Sequence, residues 1–445
     1  MSGFYFDTEK NHYYYDNSSG EVNFVSKSCE PHIIFDSNSF IPTQAKSEEF
    51  YYDGPFSHLI LVVTEECNLR CRYCAYSGIY SNQRVHSNNM MSKEIAKKAI
   101  DNYFTFFASV QRHNINAVPS IGFYGGEPLM NFEVIKYAIE YANEKYAGKI
   151  SYTTTVNATL LTKEIIRFLA QHAVTLVVSL NGNKAENDRS RVFPNGFGTF
   201  DIIMEKIHYI KETYPEYFKS NVALSTTIDT GTDLLELEKF FSEEPFKTTA
   251  ISLSKVADAY CDWYDQFDEK TKKRSSEQLQ FMRGQFYENK RMGKPCSNVQ
   301  NGLFNLLFLL ILNRSLGTVN SIIPYTGACV PGSKISVDYQ GNLFCCEKVN
   351  SSRPIGNVDQ WLDYDLVDKL IKDYLEIIGP RCINCPANRM CQVCYKDIFD
   401  ENGIGIAPPV EQCNEYIENL RNGFRMVYSL LEQGVSVEML RGKNV

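Results

Sequence analysis

HLILVVTEECNLRCRYC, residues 58–74, decides the fold. Its first half, His58 to Thr64, is an apolar, β-branched run of the kind that forms a strand. Its second half puts three thiols, Cys67, Cys71 and Cys74, in the loop that leaves the strand. Similar runs recur at Ser120–Tyr124, Ser151–Val156, Thr175–Ser179, Val222–Thr227 and Ile251–Val256. Helix-like stretches separate them, at Lys93–Phe107, Phe132–Tyr146, Lys163–His172, Phe200–Thr213 and Leu234–Phe241. Six strand–helix units in alternation predict an α/β fold with a parallel sheet, open or curved into a partial barrel. Ligands sit at the carboxyl ends of such strands. The unusual residues fall there: Cys67 after the first strand, Gly125-Gly126-Glu127 after the second, Asn157 after the third and Asn181 after the fourth.

The rest of the chain sets bounds. At 445 residues and 44% hydrophobic content it can bury one large domain and one or two smaller ones. A formal net charge of -8, with no long Lys/Arg block, argues against nucleic acid as a partner. The N-terminus has no basic start followed by an apolar run, so a cytoplasmic protein is expected. The most apolar stretch, Leu303 to Leu312, is about half the length of a bilayer span; it predicts a buried helix and no membrane insertion. We divide the chain into an N-terminal β-rich segment rich in Tyr and Phe (1–57), the strand–helix repeats (58–256), a helical bridge (257–325), a Cys-rich domain (326–425) and a C-terminal helix or tail (426–445).

Fourteen cysteines in a chain without an export signal point to metal more than to disulfides. Three thiols in the 67–74 loop suffice for three irons of a four-iron cluster, with the fourth iron open to a chelating ligand. A zinc knuckle is the competing reading; it needs a fourth ligand, and His86, the next histidine, is poorly spaced for it. Later in the chain, Cys329, Cys346, Cys382, Cys385, Cys391, Cys394 and Cys413 give seven ordered thiols, against eight for two four-cysteine clusters. Cys-x2-Cys pairs also occur in zinc ribbons. Cys29, Cys261 and Cys296 stand alone. Gly125-Gly126-Glu127-Pro128 by itself reads as a turn, and Asn157 by itself as a loop Asn.

Together these motifs resemble the radical S-adenosylmethionine (SAM) superfamily. The Cys-x3-Cys-x2-Cys loop with Tyr73 before its last cysteine is similar to the family's signature, whose open iron is chelated by the methionine part of the cofactor. Gly125-Gly126-Glu127 resembles the glycine-rich element that binds the methionine ammonium. Val177-Val178-Ser179-Leu180-Asn181-Gly182 resembles a strand end that carries Asp where this chain has Asn181, with Ser179 near the cofactor; Arg191-Val192-Phe193 resembles the arginine segment that follows, and Asn157 another polar strand end. The fold this implies is a partial (β/α)6 TIM-like barrel followed by a C-terminal auxiliary iron–sulfur (SPASM) domain.

The SPASM resemblance implies that Cys382, Cys385, Cys391 and Cys413 hold an outer cluster and Cys329, Cys346 and Cys394 an inner one. Here two residues separate Cys391 from Cys394 where relatives have three. Cys345 falls where relatives often have Pro and is set aside as a bystander; Cys296 is the candidate eighth ligand. The implied cofactors are SAM and three 4Fe–4S clusters. Glu347 matches an acidic position of sulfatase-maturing relatives and is a candidate base; the competing reading is a solvated surface Glu. Three functions compete: crosslinking, through a thioether foremost or a carbon–carbon bond, of a ribosomally made Cys-rich peptide with a leader; formylglycine formation on a sulfatase; and a non-catalytic iron–sulfur or zinc scaffold. The first two require an external one-electron reductant of flavodoxin or ferredoxin type. The aromatic N-terminal strands, including Tyr13-Tyr14-Tyr15 and His32–Phe35, are read either as a leader-peptide contact or as a cap over the sheet.

Overall fold

A computed structural model describes residues 3–25, 58–258, 260–317, 329–332, 334–382 and 384–442. Cys29 and His32–Phe35 lie outside the described residues. The six expected strands form as β4 (His58–Thr64), β5 (Ser120–Gly125), β6 (Ser151–Val156), β7 (Thr175–Ser179), β8 (Val222–Ile228) and β9 (Ala250–Lys255). All five pairings between neighbours are parallel and follow chain order. In β4, Leu59 to Val63 are all buried, the pattern of a parallel strand covered on both faces.

The connecting helices are amphipathic, and hydroxyl or acid side chains start them. Ser92 caps Lys93–His113, Thr162 caps Lys163–Gln171 and Asp233 caps Leu234–Phe241. Each such cap stabilises its helix by about 1 kcal/mol. Buried faces such as Ile203, Ile207 and Ile210 pack on the sheet at the three- and four-residue spacing of a helix.

Beyond the repeats, the C-terminal region continues the same sheet. β10 (Lys334–Val337) pairs parallel with the free edge of β4, placing Lys334 opposite His58. β11 (Asn342–Phe344), β12 (Gly356–Asn357) and β13 (Trp361–Leu362) follow antiparallel, so the order is β13-β12-β11-β10-β4-β5-β6-β7-β8-β9. The edge that a closed barrel would seal is thereby covered by the Cys-rich region. The apolar 303–312 stretch is helical with Phe308 and Ile311 buried, but Leu306 faces outward. Among the described residues no helix is long and apolar enough to cross a membrane.

At the N-terminus β1 (Gly3–Asp7), β2 (His12–Asp16) and β3 (Val22–Val25) make a separate antiparallel sheet. Among the described residues its apolar face packs on a C-terminal helix. Phe4, Phe6 and Tyr15 stack on Phe424 and Tyr428 of the helix Val410–Glu432, with ring centroids 4.9–5.5 Å apart. Glu432 accepts hydrogen bonds from Thr8, Asn11 and Tyr13 at 2.7–2.8 Å.

Candidate functional site

The cysteine loop is pinned from three sides. Backbone N–H groups of Arg70 and Arg72 donate to the carbonyls of Val192 and Ser190, tying the loop to the arginine segment. Asn157 at the end of β6 donates to Asn68 Oδ1 at 2.8 Å, and Asn68 donates to Thr159 at 2.8 Å. From β5, the N–H of Gly126 donates to Thr64 O and that of Glu127 to Glu66 O. That approach leaves no room for a side chain: a Cβ on Gly126 would stand 2.2 Å from Glu66 O. The glycine therefore sets how closely β5 lies against the loop.

Glu127 is buried, and its two oxygens accept from the N–H groups of Asn157 (2.6 Å) and Leu129 (3.2 Å). Burial pushes its carboxyl up to about 7, against those bonds and the charge of Arg191. Its observed work is to hold the Asn157 turn. Arg191 is 7% exposed and donates to the Tyr73 hydroxyl at 2.9 Å, while its Nε has no hydrogen-bond partner. Tyr73 also accepts from Asn181 at 3.0 Å, and its ring meets Trp263 edge-on. Asn181 accepts from the Thr227 N–H, so it bridges β8 to Tyr73 by hydrogen bonds alone and needs no charge. Ser179 stands, half-buried, at the carboxyl end of β7.

The thiols face one another in this setting. Burial, with the neighbouring thiols and Glu127, pushes Cys67 up to about 12; burial pushes Cys74 up to about 11. The Leu69 and Tyr76 N–H groups point at their sulfurs from 3.4 Å. A metal that binds the thiolates relieves that burial penalty. His86, too far along the chain for a spacing argument, is brought to 3.8 Å from Cys74 Sγ. Among the described residues no three His, Cys, Asp or Glu side chains gather as ligands of a single metal ion. Cluster thiolates each bind a different iron and stand further apart than single-ion ligands. Three half-buried thiols near an unsatisfied guanidinium nitrogen fit an anionic cluster and a carboxylate-bearing ligand.

The C-terminal thiols divide in two. Cys382, Cys385, Cys391 and Cys413 line one cavity of about 220 Å³. Burial and mutual repulsion push Cys382 up to about 12, and burial chiefly pushes Cys391 up to about 11. Four thiols around one cavity fit a four-iron cluster. Cys346, Cys394 and the exposed Cys329 form the second group; Cys345, set aside in the sequence, is buried within electrostatic reach of all three. Cys296 is elsewhere, in the helical bridge, its sulfur 3.9 Å from Phe286 O and its charged neighbours Lys290 and Glu238. Glu347 is buried, not solvated. Its Oε2 lies 2.9 Å from Lys334 Nζ and 3.1 Å from Cys346 Sγ, and Lys334 keeps it ionised against the cost of burial.

Between the first loop and this second group lies a cavity of about 280 Å³ at the carboxyl ends of β5, β8 and β9. Tyr73, Tyr76 and Tyr124 wall it from the repeats, Lys348 and Asp397 from the Cys-rich region. Tyr124 lies within the electrostatic reach of both Cys74 and Cys346, and Tyr76 donates to Glu347 O at 3.3 Å.

Residues 61–237 match the model of the radical SAM superfamily. The chain carries a radical SAM domain. Over 348 residues it is 27% identical to the radical SAM cyclopropyl synthase TigE of Paramaledivibacter caminithermalis, covering 73% of this chain and 64% of that one. A cysteine-type anaerobic sulfatase-maturating enzyme of Clostridium novyi is 25% identical over 194 residues, 43% of this chain and 49% of that enzyme. The chain thus spans between about half and two thirds of these curated relatives. The solved structure "Native anSMEcpe with bound AdoMet" shares the radical SAM fold, at TM-score 0.65 and 20% identity, over 85% of this chain and all of that one. Its coverage extends past the radical SAM domain into the Cys-rich, SPASM-like region.

Proposed function

We propose that this chain is a peptide maturase that binds SAM at the Cys67, Cys71 and Cys74 site and forms a thioether between a cysteine sulfur and a carbon of a ribosomally made peptide. The observation that carries the reading is the 280 Å³ cavity, whose Tyr76 and Tyr124 lie within electrostatic reach of both Cys74 and Cys346. When bound, SAM and its cluster supply a carbon radical able to take hydrogen from an unactivated carbon, and clusters on the C-terminal cysteines supply a sink for the remaining electron.

The chain's own residues do the positioning. Arg191, with Nε free and Tyr73 on its Nη1, holds an anionic group of the cofactor against the loop. Glu127 and Asn157 keep the loop at fixed distance from β5 and β6. Tyr76 and Tyr124 exclude water from the space where hydrogen is taken. Glu347, kept ionised by Lys334, receives the proton released when sulfur and carbon join. An external flavodoxin- or ferredoxin-type protein supplies the electron.

Formylglycine formation is the second reading, favoured by the sulfatase-maturating relative at 25% identity. Both readings are tested by anaerobic incubation with SAM, reductant and candidate peptides. 5′-Deoxyadenosine with a peptide thiol that is lost without a new carbonyl supports the thioether; a hydrazine-reactive aldehyde supports formylglycine. No deoxyadenosine from cluster-replete protein refutes both.

A further inference from the structure

The charges of the 280 Å³ cavity do not follow the chain as a whole, whose net charge is -8. Three lysines and one aspartate line it. Lys396 is bonded to Asp397 and so is neutralised. Lys255, the last residue of β9, and Lys348, two residues after Cys346, have no acidic partner within ion-pair distance among the described residues. Of the nearby acids, Glu347 pairs with Lys334 and Asp229 with Arg189, while the exposed Asp258, next to Ala257 of the lining, is in ion-pair contact with neither lysine. The rest of the wall is tyrosine, hydroxyl and amide, with Ala75, Val256 and Ala257. Two uncompensated ammonium groups therefore stand on the wall, one from the parallel sheet and one from the Cys-rich region.

An ammonium is a compact point charge that pairs well with a single carboxylate oxygen. Resting on the reading of this cavity as the substrate site, we propose that Lys255 and Lys348 select a peptide with an Asp or Glu side chain beside the residue to be modified. The carboxylate spans the two parts of the wall and fixes which neighbouring carbon faces Tyr124. Two other carboxylates share this chemistry, that of SAM and that of a peptide C-terminus, and the test separates them.

The probes are N-acetylated, C-amidated heptapeptides, identical but for a central Asp or Asn, and the Asn peptide with a free C-terminal carboxylate. Their affinities for the cluster-replete, SAM-bound protein are measured by anaerobic saturation-transfer NMR titration. The Asp peptide is expected to bind about threefold to tenfold tighter than the amidated Asn peptide, the strength of two solvent-screened ion pairs. Lys255→Gln with Lys348→Gln removes that preference, and Lys255→Arg with Lys348→Arg keeps it. Equal binding of Asp and Asn peptides, no binding of the Asp peptide, or a preference only for the free C-terminus overturns the proposal. So does a Gln double variant that keeps the preference or that loses SAM affinity instead. Deoxyadenosine from the same wild-type preparation separates the two failures: protein that cleaves SAM but does not prefer Asp overturns the acidic-residue inference alone.

Discussion

Gly126→Ala tests the distance on which the first site depends. The added Cβ would stand 2.2 Å from Glu66 O, a backbone atom one residue before Cys67, and 2.9 Å from Glu65 O. To reach ordinary van der Waals separation the loop must retreat by roughly 1 Å. Overpacking of this kind costs about 1–3 kcal/mol of stability. Its larger effect is on geometry: a misplacement of about 1 Å at reacting groups costs on the order of a hundredfold in rate. Gly126→Ala should therefore melt a few degrees lower, lose iron from the first site while keeping C-terminal iron, and form deoxyadenosine about a hundredfold more slowly. Gly284→Ala is the control, because its Cβ meets nothing within 4 Å and it lies inside the helix Glu269–Arg291; it should stabilise by up to about 1 kcal/mol. Iron analysis, thermal melting and a product assay on the two variants decide it. Full iron and wild-type turnover in Gly126→Ala would refute the role given to this close approach.

Arg191→Met removes the buried charge but little volume; losing a charge-assisted hydrogen bond of about 1.5–3 kcal/mol should weaken SAM about tenfold to a hundredfold in equilibrium dialysis. An unchanged affinity would show that Arg191 does not face the cofactor. Arg389, between Cys385 and Cys391, donates to the carbonyls of Asn17, Ser18, Ser315 and Gly317. Arg389→Ala should cost about 2–4 kcal/mol and loosen the outer four-cysteine site first, read as iron loss that precedes unfolding on heating. His58 is held near 4, below its ordinary 6.5, by burial and by Lys334. It is neutral in the folded chain, so its contribution is complete above about pH 6.5 and falls as the pH drops towards 4, by about 3 kcal/mol in all. His58→Gln should flatten the denaturant midpoint against pH over that window, and an unaltered slope would contradict the assignment.

The parallel strands were legible because each is an apolar β-branched run with a helix after it. β4, β6 and β7 fall on the expected residues, β5 and β8 each run one residue further at the carboxyl end, and β9 is shifted by one residue towards the N-terminus. The first site was legible for a related reason: its parts sit at successive strand ends, which the topology gathers. Long-range pairings were not. Nothing local shows that Lys334 aligns with His58, or that it reaches a Glu347 that looked solvated. His86 reaches Cys74 only because the intervening loop folds back on itself, and Cys345 comes near Cys329 and Cys394 only through the folding of the Cys-rich region itself. Nor does anything local show that the N-terminal aromatics Phe4 and Tyr15 meet Phe424 of the helix Val410–Glu432, at the other end of the chain.

The measurement closest to the central claim compares the wild-type chain with one in which Cys67, Cys71 and Cys74 are all Ala, both purified and reconstituted without oxygen. Iron per chain, the paramagnetic spectrum and 5′-deoxyadenosine formed from SAM under reduction are read on the same samples. The triple variant is expected to keep the iron and spectrum of the C-terminal cysteines and to form no deoxyadenosine. Deoxyadenosine formed by the triple variant would contradict the assignment of SAM cleavage to this loop.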